Sequence, residues 1–354
     1  MKSQNVNWLI LLTMVFVAAF CVKWVGTVAA KGELENVIES LEVGDPVYYE
    51  NLTIIPIYNT KARDGNNYAT LDEALGRNWL EITEVYGGTV PKVRITNHSN
   101  TSVFIMGGEI LSGGRQDRIV GRDVLIGPRS RNVIVPVYCT EQGRWNEQSR
   151  NFYSKKNLGT WNMRAAAQHA GPSTQSDIWG HISSSSGRMG IKSNTSAYQS
   201  LYEDTSVRRR IEQHETYLRN IPQLERDTVG VVIGVGGNIV SVDIFANPDL
   251  FRELWPKILK SASLSSIDSS RSGSISQRDA IQILRRIHDA SYRQKSAVDL
   301  GVELSAYNNG VNANALLYRG ALLHLAAFPA GYDNIRTKNN WNNDRRIPVI
   351  QRRY

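Results

Sequence analysis

The stretch Val229-Gly-Val-Val-Ile-Gly-Val-Gly-Gly-Asn-Ile-Val-Ser-Val-Asp-Ile-Phe245 decides the fold. Its Gly234-Val235-Gly236-Gly237 run has the outline of a phosphate-binding loop. A dinucleotide fold needs a strand, the glycines and then a helix. Here a second strand-like run follows, and Ile239 stands where the last glycine belongs. Residues 229–233 and 239–245 therefore read as an antiparallel hairpin closed by a glycine turn. That reading points to an α+β protein.

Upstream, strand-like runs at 52–58, 80–86, 90–96, 102–106, 119–126 and 132–138 are separated by Gly, Pro and Asn. They predict an antiparallel β part over residues 51–145, a sandwich or partial barrel. Pro56 places the first run at an edge, because proline cannot donate to a ladder. Thr70-Leu-Asp-Glu73 is a capping box opening a short helix through Leu75. Residues 146–196, rich in Ser, Asn, Gln and Gly, read as a long polar loop with a short helix near 177–182. Residues 197–330 form a mixed helix and hairpin part. It has helices at 197–220, after Asn247-Pro248, and at 278–290, and strand-like runs at 298–305 and 315–327. Pro256 is expected to kink or divide the second of these helices.

The ends differ from the middle. Lys2, the apolar run at 8–22 and Val28-Ala29-Ala30 carry the marks of a secretory signal over residues 1–30. The run is short for a membrane span, and Lys23 interrupts it, so cleavage is preferred over retention as an anchor. The expected location is outside the cytoplasm, secreted or periplasmic, with anchoring by residues 8–30 as the alternative. Residues 31–50 read as a linker. Without Lys2 and Lys23, the 41 basic side chains become 39, against 33 acidic ones. Much of the excess sits in the basic tail, 331–354. It reads as a solvated segment, with contact to an anionic membrane surface through this tail or the N-terminal segment as the sharper alternative. No basic face interleaved with aromatics appears, so no nucleic-acid partner is expected. Of the 2 cysteines, Cys21 falls in the signal, and Cys139 is left without a mature partner.

Chemistry concentrates in two segments. One is Gly107-Gly108-Glu109-Ile-Leu-Ser-Gly113-Gly114-Arg115-Gln116-Asp117-Arg118. The other is Cys139-Thr140-Glu141-Gln142-Gly143-Arg144-Trp145. Residues at the ends of neighbouring strands meet at one rim of a sheet. Gly108, Glu109, Gln116, Arg118, Glu141 and Arg144 are thus expected to converge as a ligand site. Arginine forks suit phosphate or carboxylate groups. Glu109 and Glu141 are the candidate catalytic carboxylates, able to receive a hydroxyl or act as a base. The same residues read equally well as a network of buried ion pairs. Asp268 to Asp279 has an EF-hand outline without acids at its third, fifth and ninth positions, so no metal site is assigned. The six histidines show no close metal spacing, and no cofactor motif is found. Cys139, at the end of an apolar strand, reads as packed rather than nucleophilic.

Several segments resemble, in the same order, a bacterial domain family associated with ADP-ribosylglycohydrolase and rhodanese-phosphatase genes. They include Tyr68-Ala-Thr-Leu-Asp-Glu-Ala-Leu75, Val90-Pro-Lys-Val-Arg-Ile-Thr-Asn97, Gly108-Glu-Ile-Leu111, Arg115-Gln-Asp-Arg118, Cys139-Thr-Glu-Gln-Gly-Arg-Trp145 and Phe251-Arg-Glu-Leu-Trp-Pro-Lys257. The resemblance covers roughly residues 46–330. Where the family commonly has Gly-Ala-Lys-Gln-Asn-Arg, this chain has Gly113-Gly-Arg-Gln-Asp-Arg118, which adds a negative charge at Asp117. The gene association implies a role in NAD or ADP-ribose metabolism. Together with the polar segments, it suggests a nucleotide-derived or other anionic, hydroxyl-rich small molecule as partner. The alternative is a non-catalytic envelope module.

Overall fold

The structure is a computed structural model describing residues 30–61, 67–85, 91–144, 146, 148–330 and 350–351. Except for Ala30, Ile350 and Gln351, the expected signal and basic tail lie outside the described residues. In chain order, helix α1 (30–39) leads to strands β1 (Glu42–Val43), β2 (Val47–Tyr49) and β3 (Leu52–Tyr58). Then come β4 (Ala69–Thr70), α2 (Leu71–Gly76), β5 (Leu80–Glu84), β6 (Lys92–Asn97), β7 (Val103–Ile105), β8 (Glu109–Gly113) and β9 (Arg118–Val120). β10 (Val124–Ile126), β11 (Val133–Cys139) and β12 (Phe152–Leu158) precede α3 (Trp161–His169), α4 (Thr174–Met189), α5 (Gln199–Glu203) and α6 (Thr205–Leu218). The hairpin β13 (Thr228–Val235) and β14 (Asn238–Phe245) is followed by α7 (Pro248–Asp268) and α8 (Gln277–His288). The last strands are β15 (Arg293–Ser296), β16 (Val302–Asn308), β17 (Val311–Tyr318), β18 (Ala321–Pro329) and β19 (Ile350–Gln351).

Three sheets result. The largest has the order β15-β16-β17-β18-β14-β13-β3-β1-β19, with β2 also on β3. The second runs β12-β8-β9-β11-β6-β5, and the smallest β10-β7-β4. Pairing is antiparallel except for β1 with β19 and β4 with β7. The protein is α+β. Its β13–β14 hairpin turns through Gly236 and Gly237, whose φ of +57° and +78° L-residues seldom adopt.

Period-2 alternation explains why the large sheet is covered on both faces. Val232 and Val242 point to one side, where α1 and α8 pack with Leu34, Ile38, Ile283 and Ile287. Val231 and Ile233 point to the other, against Leu250, Phe251, Leu254 and Trp255 of α7. The two smaller sheets close on each other through Ile82, Val93, Ile105, Leu111 and Val137. Helices α3 to α6 cover Ile110 and Ile119 of the second sheet. No described helix is long and apolar enough to cross a membrane.

Several expectations change. β3 does not join the first β part: it pairs with β13 along its length, from Leu52 opposite Val235 to Tyr58 opposite Thr228. Nor is it an edge. Pro56 sits where β1 ends and β2 has not yet begun, so no strand on that side asks for its missing N–H. The expected polar loop at 146–196 holds β12, α3 and α4. The buried face of α4 is Thr174, Ile178, Ile182 and Ser185, helical in spacing but half hydroxylic, so a hydropathy pattern misses it. The helix expected at 197–220 breaks at Asp204, whose carboxylate accepts from the N–H groups of Ser206 and Val207 and starts α6. α7 runs unbroken through Pro256. The run 315–327 is parts of two strands joined by a turn at Arg319 and Gly320, both with positive φ.

Candidate functional site

The two glycine-and-charge segments feed three separate clusters. The first surrounds Arg164. Gly108 has φ +102°, and a Cβ there would lie 2.5 Å from Arg164 Cγ, so the glycine leaves room for this side chain. Arg164, on α3, grips Asp243 of β14 with both terminal nitrogens, at 3.1 and 2.5 Å. His324 of β18 lies on the same face. Its Nε2 is 3.3 Å from Asp243 and its Nδ1 is 2.7 Å from Asp123, which hangs between β9 and β10. Asp123 also accepts the Gly107 N–H at 2.7 Å. Burial disfavours a charged imidazole, but Asp123 and Asp243 outweigh it and raise His324 to about 9. Burial also works against the Asp243 carboxylate, yet Arg164 and His324 hold it well below the usual carboxylate range. This network ties the large sheet to the β9–β10 corner of the smaller ones.

The second cluster brings Gln116, Arg118, Glu141 and Arg144 together. Arg118 Nη1 donates to the Gln116 carbonyl at 2.9 Å and to Cys139 Sγ at 3.1 Å. Gln116 Nε2 donates to the Glu141 carbonyl at 2.7 Å. Arg144 pairs with Glu141 at 2.6 Å and with Asp117 at 3.0 Å. Burial alone would raise Glu141. The hydrogen bonds from Arg144 outweigh it, and the carboxyl sits below its ordinary value, ionised at neutral pH. Asp117, where the resembled family commonly has Asn, also accepts from the Gly113 N–H and Ser112 Oγ. The extra negative charge is thus held by Arg144 and a turn. Arg118 is 2% exposed, and no member of this cluster lines a described cavity apart from the neighbouring Gln142. The arrangement holds strand ends together.

Cys139 is closed into the same cluster, with its thiol donating to Gln116 Oε1 at 3.0 Å. Burial raises it to about 11, against the pull of Arg118, so almost none is thiolate at neutral pH. Native protein should therefore resist iodoacetamide until denaturant is added, and Cys139→Ser should leave thermal stability within about 1 kcal/mol of the parent. Alkylation of the native chain at the rate of a free thiol refutes this.

Glu109 stands apart from Arg118, Glu141 and Arg144, contrary to the expected single convergence. It lies at the opposite end of β8 from Gly113. Its carboxylate accepts the Met106 N–H at 2.9 Å and pairs with Lys257 of α7. Lys257 also reaches Asp72 of α2 at 2.9 Å. Glu109 is fully buried, and Lys257 is 3% exposed. Burial raises the Glu109 carboxyl, with Lys257 opposing. Burial also works against a charged Lys257, but Glu109 and Asp72 outweigh it and keep the ammonium protonated. Lys257 is thus a fixed cation, not a nucleophilic amine.

This triad underlies a cavity of about 420 Å³. Glu253, Pro256, Lys257 and Lys260, at helical spacings of three and four, present one face of α7 to it. Thr70, Asp72 and Glu73 come from the start of α2, where Thr70 caps the helix as the capping box predicts. Lys156 comes from β12, at a break in register between Ser154 and Leu158. Its φ of +59° is rare for a residue with a side chain, and bulges of this kind re-aim side chains at sites. Asp72 Oδ1 is buried with no hydrogen-bond partner.

Lys257, Asp72, Arg164, Asp243 and His324 escape a reading of local spacing. Two signals were present: Lys257 falls on the apolar stripe of α7, and Asp243 interrupts the apolar run of β14.

Fold and site define an α+β protein whose buried charge networks frame a polar cavity of mixed sign. The chain belongs to the ARPP-1 family, the ARG and Rhodanese-Phosphatase-superfamily-associated Protein domain, matched over residues 40–328. No curated protein and no solved structure matches it.

Proposed function

We propose that this is an exported small-molecule-binding domain whose ligand is phosphorylated and hydroxyl-rich, of the ADP-ribose kind, and that the Lys257 cavity receives it. The observation carrying this is the lining: Lys156, Lys257 and Lys260 beside Asp72, Glu73 and Glu253. Ammonium groups suit phosphate oxygens, and carboxylates suit ribose hydroxyls. Asp72 Oδ1, unpartnered, can accept such a hydroxyl with a small rotation. Glu109 acts one layer back by holding Lys257 in place. The family's gene association agrees with an ADP-ribose-like ligand, and export rests on the signal marks in residues 1–30. The Gln116–Arg144 cluster, satisfied within itself, favours the other reading for those residues: a structural brace of an envelope module.

A thermal-shift screen against NAD, ADP-ribose, nucleotides and sugar phosphates tests the proposal. A specific ligand at a hundred times its Kd adds about 2.7 kcal/mol of stability. Lys156→Ala should leave the unliganded melting temperature unchanged and weaken binding about tenfold or more, the worth of a charge-assisted hydrogen bond. A flat response to every phosphorylated compound sinks the ligand reading, and equal binding by the variant removes it from this cavity.

A further inference from the structure

A second cavity, of about 290 Å³, borders the loop that carries Gln142. Trp179, Ile182, Ser183 and Ser186 face it from α4, again at spacings of three and four. The chain turns at Gly190, with φ +68°, and returns as Ile191 to Ser196 along the opposite wall. Gln142 closes a third side. The loop carrying Gln142 is fixed tightly. The Gly143 N–H donates to the Thr195 carbonyl at 2.8 Å, and a Cβ on Gly143 would lie 2.9 Å from Thr195 Cα. Glu141 bridges to Ala197. So the Glu141–Arg144 pairing holds one wall of this cavity in place. Ser196, with φ +52°, is a further residue in a conformation that side chains disfavour.

Trp179 Nε1 is buried and has no hydrogen-bond partner. A buried donor left unmade is costly, and a natural protein keeps one where something else completes it. Its indole ring with Ile182 and Ile191 supplies an apolar surface, while serine hydroxyls and the Gln142 amide surround it. Among the described residues, Lys192 is the one charged side chain in the lining, with no carboxylate beside it. This contrasts with the Lys257 cavity, whose three lysines meet three acids. The small volume suits one ring.

We infer that this cavity is a second binding site, for a six-membered, hydroxyl-rich ring carrying a single carboxylate, a sugar acid of the uronate class. The C–H face of the ring lies on the Trp179 indole, a ring oxygen or hydroxyl accepts from Nε1 once the indole tips toward the cavity, the carboxylate meets Lys192, and the serines and Gln142 take the remaining hydroxyls.

The test follows the indole N–H resonances of ¹⁵N-labelled full-length protein during titration with glucuronate, glucose and acetate. Trp179→Phe identifies the Trp179 signal. The expected result is saturable movement of that signal with glucuronate. Glucose should bind about tenfold more weakly, and acetate should give no saturable movement. Lys192→Gln should weaken glucuronate about tenfold while leaving the unliganded spectrum in place, since tenfold is the low end of what a charge-assisted hydrogen bond contributes. An unmoved Trp179 signal in glucuronate overturns the site. Equal binding of glucose overturns the acidic class, and equal binding of acetate overturns the ring. If Trp179→Phe does not fold, the parent titration still decides: a spectrum in which no indole N–H signal moves saturably with glucuronate overturns the site.

Discussion

Arg164→Ala is expected to destabilise the protein by about 3–5 kcal/mol, because it leaves Asp243 as a buried charge short of its main partner. Asp243 is 0% exposed, and both its oxygens are taken by Arg164. The Arg164 guanidinium also lies 5.1 Å over the Phe328 ring, so packing is lost with the charge. His324 remains as the one cation between Asp123 and Asp243, which gives the loss a pH signature. Its folded value of about 9 lies above the ordinary 6.5. A group raised on folding contributes stability that is complete below its unfolded value and disappears as the pH passes its folded one. The parent loses the His324 contribution on crossing about 9 but keeps Arg164. The variant keeps neither, so its deficit should widen as the solution turns alkaline. Urea denaturation across this range measures both. A variant as stable as the parent at neutral pH, or a deficit that narrows in alkali, contradicts the account.

The same cluster shows how far the sequence could be read. The hairpin at 229–245 was legible because its signal is local: glycines at two positions of positive φ, and alternation on either side. The cap at Thr70 is legible for the same reason, and a capping box at Ser276 accounts for the EF-hand outline. Asp279, at the twelfth position of that outline, accepts from the backbone and hydroxyl of Ser276 at the head of α8, and Asp268 binds Arg188. β3 was misplaced because nothing near it in the chain says that its partner begins at Thr228. The candidate site divided along the same line. Gln116, Arg118, Glu141 and Arg144 meet because β9 and β11 are neighbours, a relation that strand order suggests. Glu109, on the next strand, finds its partner in α7, well over a hundred positions away. Hydroxylic helices are hard in another way. α4 buries Thr174 and Ser185 on a face where hydropathy looks for leucine, although Ser185 answers to Asp268 at 2.8 Å.

Lys257→Met is the sharper of the two experiments, because it joins stability to the proposed ligand. Methionine keeps most of the length and volume of lysine but not its charge. Glu109 is then fully buried without a counter-ion, and a loss on the order of 3–5 kcal/mol is expected at neutral pH. Glu109 is already raised in the parent by burial, against Lys257, and removing Lys257 raises it further. The sign follows from linkage. A carboxyl raised on folding favours the folded state below its unfolded value of 4.5, and that contribution is lost as the pH rises through the folded value. The deficit should therefore shrink as the solution is acidified through the raised folded value, above the ordinary carboxylate range, where Glu109 takes up a proton and stops being a stranded charge. Glu109→Gln in the same chain removes the charge outright. The double variant should recover most of the stability at neutral pH, since replacing a buried pair by neutral groups of similar size is often close to neutral in cost. It should not recover binding of a phosphorylated ligand, because the cavity still lacks the Lys257 ammonium. Recovery of stability without binding separates the cation's duty to the ligand from its duty to the fold. A double variant no more stable than Lys257→Met would show that the buried charge was not what the single change exposed. One that binds as tightly as the parent would leave Lys257 with the fold alone.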